Sequence, residues 1–193
     1  MPKSNPIPAP LRPRAAAPSA LVASRRVIAI DPSLRNSGYA VLERVAGGRF
    51  RALAYGSVRN SDRLLQSGCL VAIRERISDL IQAHQPDCAA VEAIIYVQSF
   101  RTAIVMGCAR GAAVLAAAER GLPIYEYAPR RVKQAVVGRG GAQKSQVGFM
   151  VKAMVDGLTD EPNADAADAL AIAMTHFQSE NSALRGAIQL DRI

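Results

Sequence analysis

The stretch that decides the fold runs from residue 27 to residue 33 and reads VIAIDPS. Four apolar residues come first, and they are followed by Asp31 and by Pro32, which cannot continue the hydrogen bonding of a central strand. A short apolar run that ends at a turn is typical of a strand buried inside a sheet. We therefore expect residues 27–31 to form a central strand with a carboxylate at its end.

The rest of the chain surrounds this strand with alternating strands and helices. Residues 88–92, CAAVE, repeat the pattern of a short apolar strand that ends in an acid. Ser61 is the predicted N-cap of the first helix, and Gly47-Gly48 is a hairpin signal. The other expected elements are strands at 38–45, 50–58 and 124–127 and helices at 61–84, 102–120, 144–156 and 166–177. This order predicts an α/β domain whose mixed central β-sheet is flanked by α-helices.

Length, charge and cysteine spacing exclude several classes of protein. The 193 residues carry a formal net charge of +8, which favours a polyanionic partner, either nucleic acid or an acidic membrane surface. The longest stretch without a charged residue, 169–179, is too short to span a bilayer, so no membrane-spanning segment is expected. The three cysteines form no close pair, which argues against a zinc finger or a disulfide framework and for buried, reduced thiols in a cytosolic protein.

The positive charge is concentrated in two blocks. Residues 1–30 contain five basic and no acidic residues, and residues 101–152 contain nine basic and two acidic residues. Frequent prolines in residues 1–25 interrupt any amphipathic helix or apolar core that a targeting signal needs. We therefore expect a disordered basic tail at 1–25, one ordered domain at 26–180 and a C-terminal tail at 181–193.

Four acids stand where they can meet at one edge of the sheet: Asp31, Glu92, Asp165 and Asp168. The first two end buried strands, and the last two are spaced i, i+3 on one face of the final helix. Carboxylates brought together repel each other unless a hard cation such as Mg²⁺ or Mn²⁺ binds them, and two such ions about 3.5–4 Å apart can hold a phosphodiester. A turn, a strand end and a helix dipole explain the same acids individually, so the residues alone leave both interpretations open.

The order of motifs resembles one known family. Residues 28–39, IAIDPSLRNSGY, are similar to the first strand and turn of the RuvC family of crossover junction endodeoxyribonucleases. Similar segments follow at residues 86–92, 107–111, 125–138, 144–147 and 164–173. The resemblance spans residues 27–176 and implies a ribonuclease H-like fold. It also implies a homodimer that makes paired symmetric nicks in four-way DNA junctions during recombination and repair, in the bacterial cytoplasm and with RuvA and RuvB as partners.

The resemblance also assigns roles to individual residues. It implies that Asp31, Glu92, Asp165 and Asp168 are the catalytic residues and hold Mg²⁺, with Mn²⁺ as a substitute and two ions in each subunit. It places Lys133 and Lys144 on the DNA strand near the scissile phosphate, and ammonium groups can neutralise phosphates there. The further DNA-binding candidates are Arg101, Arg110, Arg130, Arg131, Arg139, Tyr96 and Phe100.

Three positions depart from the family pattern. Ser33 replaces the usual Gly, Ile95 the usual Phe, and Ser99 the usual Asn. In the family this loop stacks on a base of the junction. Tyr96 or Phe100 can supply the aromatic ring and Ile95 an apolar wedge, although a core or dimer contact explains them equally well.

Three other functions remain open from the sequence. A related ribonuclease H-like nuclease would act on another branched or RNA-containing substrate, and a junction-binding protein would not cleave. The four intact carboxylates argue against a junction-binding protein that does not cleave, because acids placed against phosphate would weaken its binding. A sugar-kinase-like or actin-like ATPase shares the first strand and turn, but the further phosphate loops that it needs are not found in the sequence. Separately, residues 138–145 nearly imitate a nucleotide-binding phosphate loop. Gln143, however, replaces the required Gly, so we expect a connector that contacts DNA.

Overall fold

The structure of the protein, a computed structural model, describes residues 25–95, 99–184 and 190–193. All of the expected tail except Arg25 therefore lies outside the described residues, as does Tyr96. The strands are β1 (Arg26–Asp31), β2 (Asn36–Arg44), β3 (Phe50–Arg59), β4 (Cys88–Glu92), β5 (Ile124–Tyr127) and β6 (Val155–Asp156). The helices are α1 (Gln66–His84), α2 (Phe100–Glu119), α3 (Pro129–Val137), α4 (Lys144–Met154) and α5 (Ala164–Leu184).

The strands form one mixed sheet in the order β5-β4-β1-β2-β3-β6. β1 pairs with β2 in antiparallel fashion and with β4 in parallel, with Ile30 opposite Val91. The carboxyl ends of β1 and β4 consequently lie side by side at one edge of the sheet. That edge carries Asp31 and Glu92, as the sequence predicts.

The sheet is buried on both faces by two layers of helices. Val27 and Ala29 of β1 belong to a core that includes residues of α3, α4 and α5. Ile28 and Ile30 belong to a second core with α1 and α2. Because successive side chains of a strand point to opposite faces, a strand between two layers must be apolar at every position. This requirement explains the uninterrupted run VIAI.

The first helix begins later than predicted. α1 starts at Gln66, its N-cap is Leu65, and no side chain caps it. Nη1 of Arg35 instead donates to the carbonyl oxygens of Ser61 at 2.5 Å and of Leu64 at 3.0 Å. These bonds hold residues 61–64 as a turn, so the prediction of Ser61 as the N-cap is wrong.

Helix α3 lies where no helix was predicted. Pro129 stands in its first turn, where a fixed φ suits a helix, and Gly138 ends it with a φ of 80°. Among its nine residues only Val132 and Val136 are buried. Val132, Ala135 and Val136 do have helical i, i+3, i+4 spacing, but nine residues are fewer than the roughly 11–18 over which helical periodicity is read.

The ends of α4 and α5 also differ from the predicted bounds. α4 stops at Met154, because the next two residues leave the helix and pair with β3 as β6. α5 continues to Leu184, four residues into the segment expected to be a tail. Near the chain end, the backbone amide of Glu126 in β5 donates to the carbonyl oxygen of Asp191 at 3.1 Å. The chain end thus covers the free edge of β5.

Helix α2 has an unusual composition for a helix on a sheet. By length and apolar content it is the one helix among the described residues that could cross a membrane. Its buried face consists of alanines, including Ala109 and Ala113, that pack on the sheet. Arg110 in its middle pairs with Glu126 of β5. These contacts identify α2 as a layer of the domain, although only 22% of its apolar window is buried.

A glycine allows α5 to approach the sheet. A Cβ atom built on Gly38 of β2 would lie 2.1 Å from the carbonyl oxygen of Asp165 and 2.6 Å from its carbonyl carbon. Backbone atoms cannot rotate away as a flexible side chain can. Gly38 therefore permits the close contact that places the first turn of α5, with its acids, at the sheet edge.

We expect Gly38→Ala to lower the free energy of unfolding by roughly 1–3 kcal/mol, because α5 must move outward. The measurement is thermal or urea denaturation followed by circular dichroism. Gly148→Ala in α4 is the matched control: its Cβ would meet no atom within 4 Å, and alanine stabilises a helix relative to glycine by up to about 1 kcal/mol. Equal effects of the two substitutions would contradict the interpretation.

Candidate active site

The predicted acids and lysines meet in a cleft of about 230 Å³ at the carboxyl edge of β1 and β4. Its lining residues are Asp31, Glu92, Pro129, Val132, Lys133, Lys144, Val147 and Asp168. Three of the four predicted acids and both predicted lysines line this cleft. They come from five separate elements, so the cleft exists only in the folded chain.

Asp31 and Glu92 share a hydrogen bond between their carboxyl groups. Burial, then the nearby charge of Asp168, raises the pKa of Asp31 to about 6. Burial, then the charge of Asp31, raises the pKa of Glu92 to about 8. Since two buried carboxylates in contact cannot both ionise easily, Glu92 keeps its proton at neutral pH and donates a hydrogen bond to Asp31.

Lys144 and Asp168 form an ion pair across the cleft. Nζ of Lys144 lies 2.6 Å from Oδ2 of Asp168. This hydrogen bond raises the pKa of Lys144, so the ammonium stays protonated. Its charge also lowers the pKa values of Asp31 and Glu92, but burial outweighs that effect at both carboxyl groups. The cleft therefore remains an electrostatically costly place for three negative charges.

Asp165 lies beside the cleft and does not line it. Its Oδ2 accepts a hydrogen bond of 3.2 Å from the Ser57 hydroxyl. Asn163 accepts a hydrogen bond of 2.9 Å from the backbone amide of Ala166 and so caps the first turn of α5. The charge of Asp165 still raises the pKa of Asp31, which keeps it within electrostatic range of the site.

The acids suit a hard divalent cation by their chemistry. Their donors are carboxylate oxygens, which Mg²⁺ and Mn²⁺ prefer, and a bound cation would favour the ionised forms that burial disfavours. Within the described residues, however, no three His, Cys, Asp or Glu side chains are arranged to hold an ion directly. In this arrangement Lys144 engages Asp168, and Glu92 shares its proton with Asp31.

The predicted arginines divide into two groups. Arg101, Arg130, Arg131 and Arg139 are exposed, whereas Arg110 is half-buried. Arg110 pairs with Glu126, and Arg131 donates to the Ser179 hydroxyl at 3.2 Å. None of the five arginines lines the cleft, so the structure does not bring them to the acids.

The loop that departs from the family pattern exposes apolar side chains. Phe100 is 92% exposed and Ile95 is also exposed, which excludes a role in the core of this chain for either residue. Ser99 caps α2 by accepting a hydrogen bond of 3.2 Å from the amide of Thr102. Ser33 has no positive φ, so the position does not require the usual glycine.

Sequence reasoning missed the partners that surround the functional groups. Val132 and Val147 form apolar walls of the cleft, and their sequence signal is that of ordinary core residues. Ser57 of β3 donates a hydrogen bond to Asp165 of α5, and only the folded chain brings these two residues together. Asn163, three residues before Ala166, is an N-cap signal that the sequence does contain.

Comparisons with known proteins agree on one family. The family model described as "Crossover junction endodeoxyribonuclease RuvC" matches residues 27–176. A protein of that name from Akkermansia muciniphila is 55% identical over 154 residues, which are 80% of this chain and 91% of the relative. Another from Caldicellulosiruptor saccharolyticus is 39% identical over 160 residues, 82% of this chain and 96% of the relative.

A solved structure agrees as well. The structure of T. thermophilus RuvC in complex with Holliday junction substrate superposes with a TM-score of 0.79 at 32% identity, covering 88% of this chain and 99% of that one. The mixed sheet and its flanking helices are thereby confirmed as the expected ribonuclease H-like fold. The chain belongs to the RuvC family of crossover junction endodeoxyribonucleases.

Proposed function

We propose that this chain resolves Holliday junctions in recombination and repair, by metal-dependent hydrolysis of phosphodiesters at the cleft. As a member of the RuvC family it is a crossover junction endodeoxyribonuclease. The observation that carries the assignment of the site is the convergence of Asp31, Glu92 and Asp168 with two lysines in one cleft. Acids to hold cations and ammonium groups to hold phosphate are the two requirements of this chemistry.

We propose Mg²⁺ as the ion, with Mn²⁺ as a substitute and two ions in each subunit. The carboxylate oxygens of Asp31, Glu92 and Asp168 are the metal ligands in the cleft. Asp165 lies beside them, three residues before Asp168 in α5. When bound, such ions supply Lewis acidity at the phosphoryl group and stabilise the leaving oxygen. Glu92 holds a proton in the metal-free cleft and must release it before its carboxylate can act as a ligand.

The lysines orient the DNA strand. Lys133 of α3 and Lys144 of α4 both line the cleft that contains the acids, and their ammonium groups can each pair with a phosphate oxygen. Val132 and Val147 line the cleft beside these lysines. The scissile phosphate is thereby held between cationic side chains and the acidic edge of the sheet.

Contacts beyond the cleft extend this interface. We assign phosphate contacts to the exposed residues Arg101, Arg130 and Arg139, and auxiliary contacts to the basic tail at 1–25. The exposed side chains of Phe100 and Ile95 fit the wedge or stacking role at the junction, with Tyr96 as the alternative. Arg131 is exposed as well, whereas Arg110 is half-buried and must leave Glu126 before it can contact DNA.

We propose that the exposed face of α2 forms the homodimer. Ile104, Gly107, Gly111 and Leu115 repeat at helical spacing, and no atom lies within 4 Å of a Cβ built on either glycine. A second copy of α2 can therefore approach this stripe closely. A two-fold dimer presents two clefts to the two opposed strands of a junction.

The remaining proposals follow from family membership. The relatives named above are bacterial proteins, so we propose that this chain acts in the cytoplasm of a bacterium. We also propose RuvA and RuvB as its partners. The exposed surface of the domain outside the cleft and the α2 stripe is available for them.

The substrate is tested with a labelled four-way junction, a linear duplex and an RNA–DNA hybrid, each with and without Mg²⁺. We expect paired symmetric nicks in the junction alone, and only with the metal. Cleavage of the hybrid in preference to the junction would instead support the related ribonuclease H-like nuclease.

Asp31→Asn is expected to lower the nicking rate at least about a hundredfold, a loss of about 2.7 kcal/mol of transition-state stabilisation, while junction binding survives. Single-turnover cleavage and gel-shift binding measure the two effects separately. Asp79→Asn, at an exposed position of α1, is the matched control and should leave both unchanged. Undiminished cleavage by Asp31→Asn would refute the role of this acid.

Glu92→Gln is expected to stabilise the metal-free protein at alkaline pH. Because its pKa is raised from 4.5 to about 8, the folded state binds more protons than the unfolded state between those values, and stability falls as the pH rises through them. Melting in EDTA at about pH 5 and about pH 8.5 should show a gain of a few degrees at the higher pH only. A gain that is the same at both pH values, or one shared by Glu75→Gln on the exposed face of α1, would contradict this origin.

Leu115→Glu tests the dimer. Leu115 is 50% exposed in the stripe, and Val71 on α1 is 52% exposed outside it, so Val71→Glu is a matched control. We expect Leu115→Glu to raise the dimer dissociation constant at least about tenfold, because a charge would be buried between the helices. Sedimentation equilibrium measures this constant, and a dimer weakened equally by both substitutions would place the interface elsewhere.

A further inference from the structure

One ion pair in the cleft holds two functional groups against each other. Nζ of Lys144 and Oδ2 of Asp168 are 2.6 Å apart, which is the distance of a charge-assisted hydrogen bond. In the function proposed above, Lys144 contacts a DNA phosphate and Asp168 holds a metal ion. While the two groups are paired, Lys144 cannot contact a phosphate and Asp168 cannot bind a metal ion.

Lys144 is a cation that lies among the acids of the cleft. It lines the same cleft as Asp31 and Glu92, and its positive charge acts on both of those carboxyl groups. The side-chain arrangement of the described acids does not form a direct metal-binding cluster. The ammonium group of Lys144 therefore supplies positive charge to the acids of the cleft.

Lys133 provides an internal comparison. It lines the same cleft, yet within the described part of the chain it forms no ion pair with an acid. The side chain of Lys144 is 74% exposed while that of Asp168 is 27% exposed. The ammonium of Lys144 can therefore swing out toward solvent or DNA, whereas the carboxylate stays in the cleft.

We propose that Lys144 is an internal counter-cation that occupies the metal-free cleft and is exchanged for a divalent cation. When an ion binds Asp168, the ammonium group is displaced and becomes free to contact phosphate. Metal loading and DNA contact are thereby coupled through one side chain. The inference rests on the proposed function, because it takes Asp168 as a metal ligand.

The test is Mn²⁺ binding to the full chain without DNA, measured by isothermal titration calorimetry at neutral pH. Lys144→Met removes the competing cation, so we expect its dissociation constant for Mn²⁺ to fall about three- to tenfold. Lys144→Arg keeps the charge, and Lys152→Met removes a charge of the same helix outside the cleft; both should stay within about twofold of the parent protein. Unchanged or weaker binding by Lys144→Met overturns the inference, since weaker binding would mean that Lys144 orients Asp168 for the ion.

Thermal melting gives a second readout that does not depend on catalysis. In EDTA, Lys144→Met should melt about 2–4 °C below the parent protein, and saturating Mn²⁺ should remove the difference. A difference that persists with Mn²⁺ would overturn the exchange. If the parent protein neither binds Mn²⁺ nor nicks a junction, the proposed function fails; if it does both but Lys144→Met binds no tighter, only the role of Lys144 fails.

Discussion

The parallel pairing of β1 with β4 is the constraint on which the rest of the structure depends. It places the carboxyl groups of Asp31 and Glu92 side by side, at an edge that the helices α3, α4 and α5 partly bury. Burial raises the pKa of both groups, so at alkaline pH the folded state is less stable than it would be with amides in their place. The two apolar cores offset this local destabilisation, and the acids are retained where stability alone would exclude them.

The edge is held in place by a buried hydrogen-bond network behind it. Nδ1 of His176 in α5 lies 2.9 Å from the Tyr127 hydroxyl of β5, and its Nε2 lies 3.1 Å from Sγ of Cys88 in β4. Burial lowers the pKa of His176 to about 4, so the imidazole is neutral and its two nitrogens can serve one donor and one acceptor role. The network connects α5, which carries Asp168, to β4, which carries Glu92. The core thus helps to hold together the two elements that carry these acids.

Site residues could be predicted from the sequence where a local pattern marks them, and contacts could not be predicted where only the fold brings distant residues together. Asp31 and Glu92 could be predicted, because each ends an apolar run that is readable as a buried strand. The pairing of Lys144 with Asp168 could not, since 24 residues separate them and nothing in either neighbourhood specifies the contact. The family resemblance placed both lysines near the DNA, and the cleft contains both of them, but it did not indicate that one of them engages an acid. Ser61 shows that a local signal can also mislead. It was predicted as the N-cap of α1, but Arg35 bonds to its carbonyl oxygen and stabilises a turn there instead.

The position of Lys144 at the start of α4 explains why its charge is available for exchange. The amino end of a helix carries partial positive charge, so a cation there is unfavourable by about 0.3–1 kcal/mol when exposed. The ammonium is therefore held by Asp168 and the neighbouring acids, and not by its own helix. A divalent cation competes for the same carboxylates with twice the charge, while a phosphate offers the displaced ammonium a new partner and also suits the helix terminus. Because its own helix does not stabilise the ammonium group, Lys144 is suited to move between the carboxylate of Asp168 and a DNA phosphate.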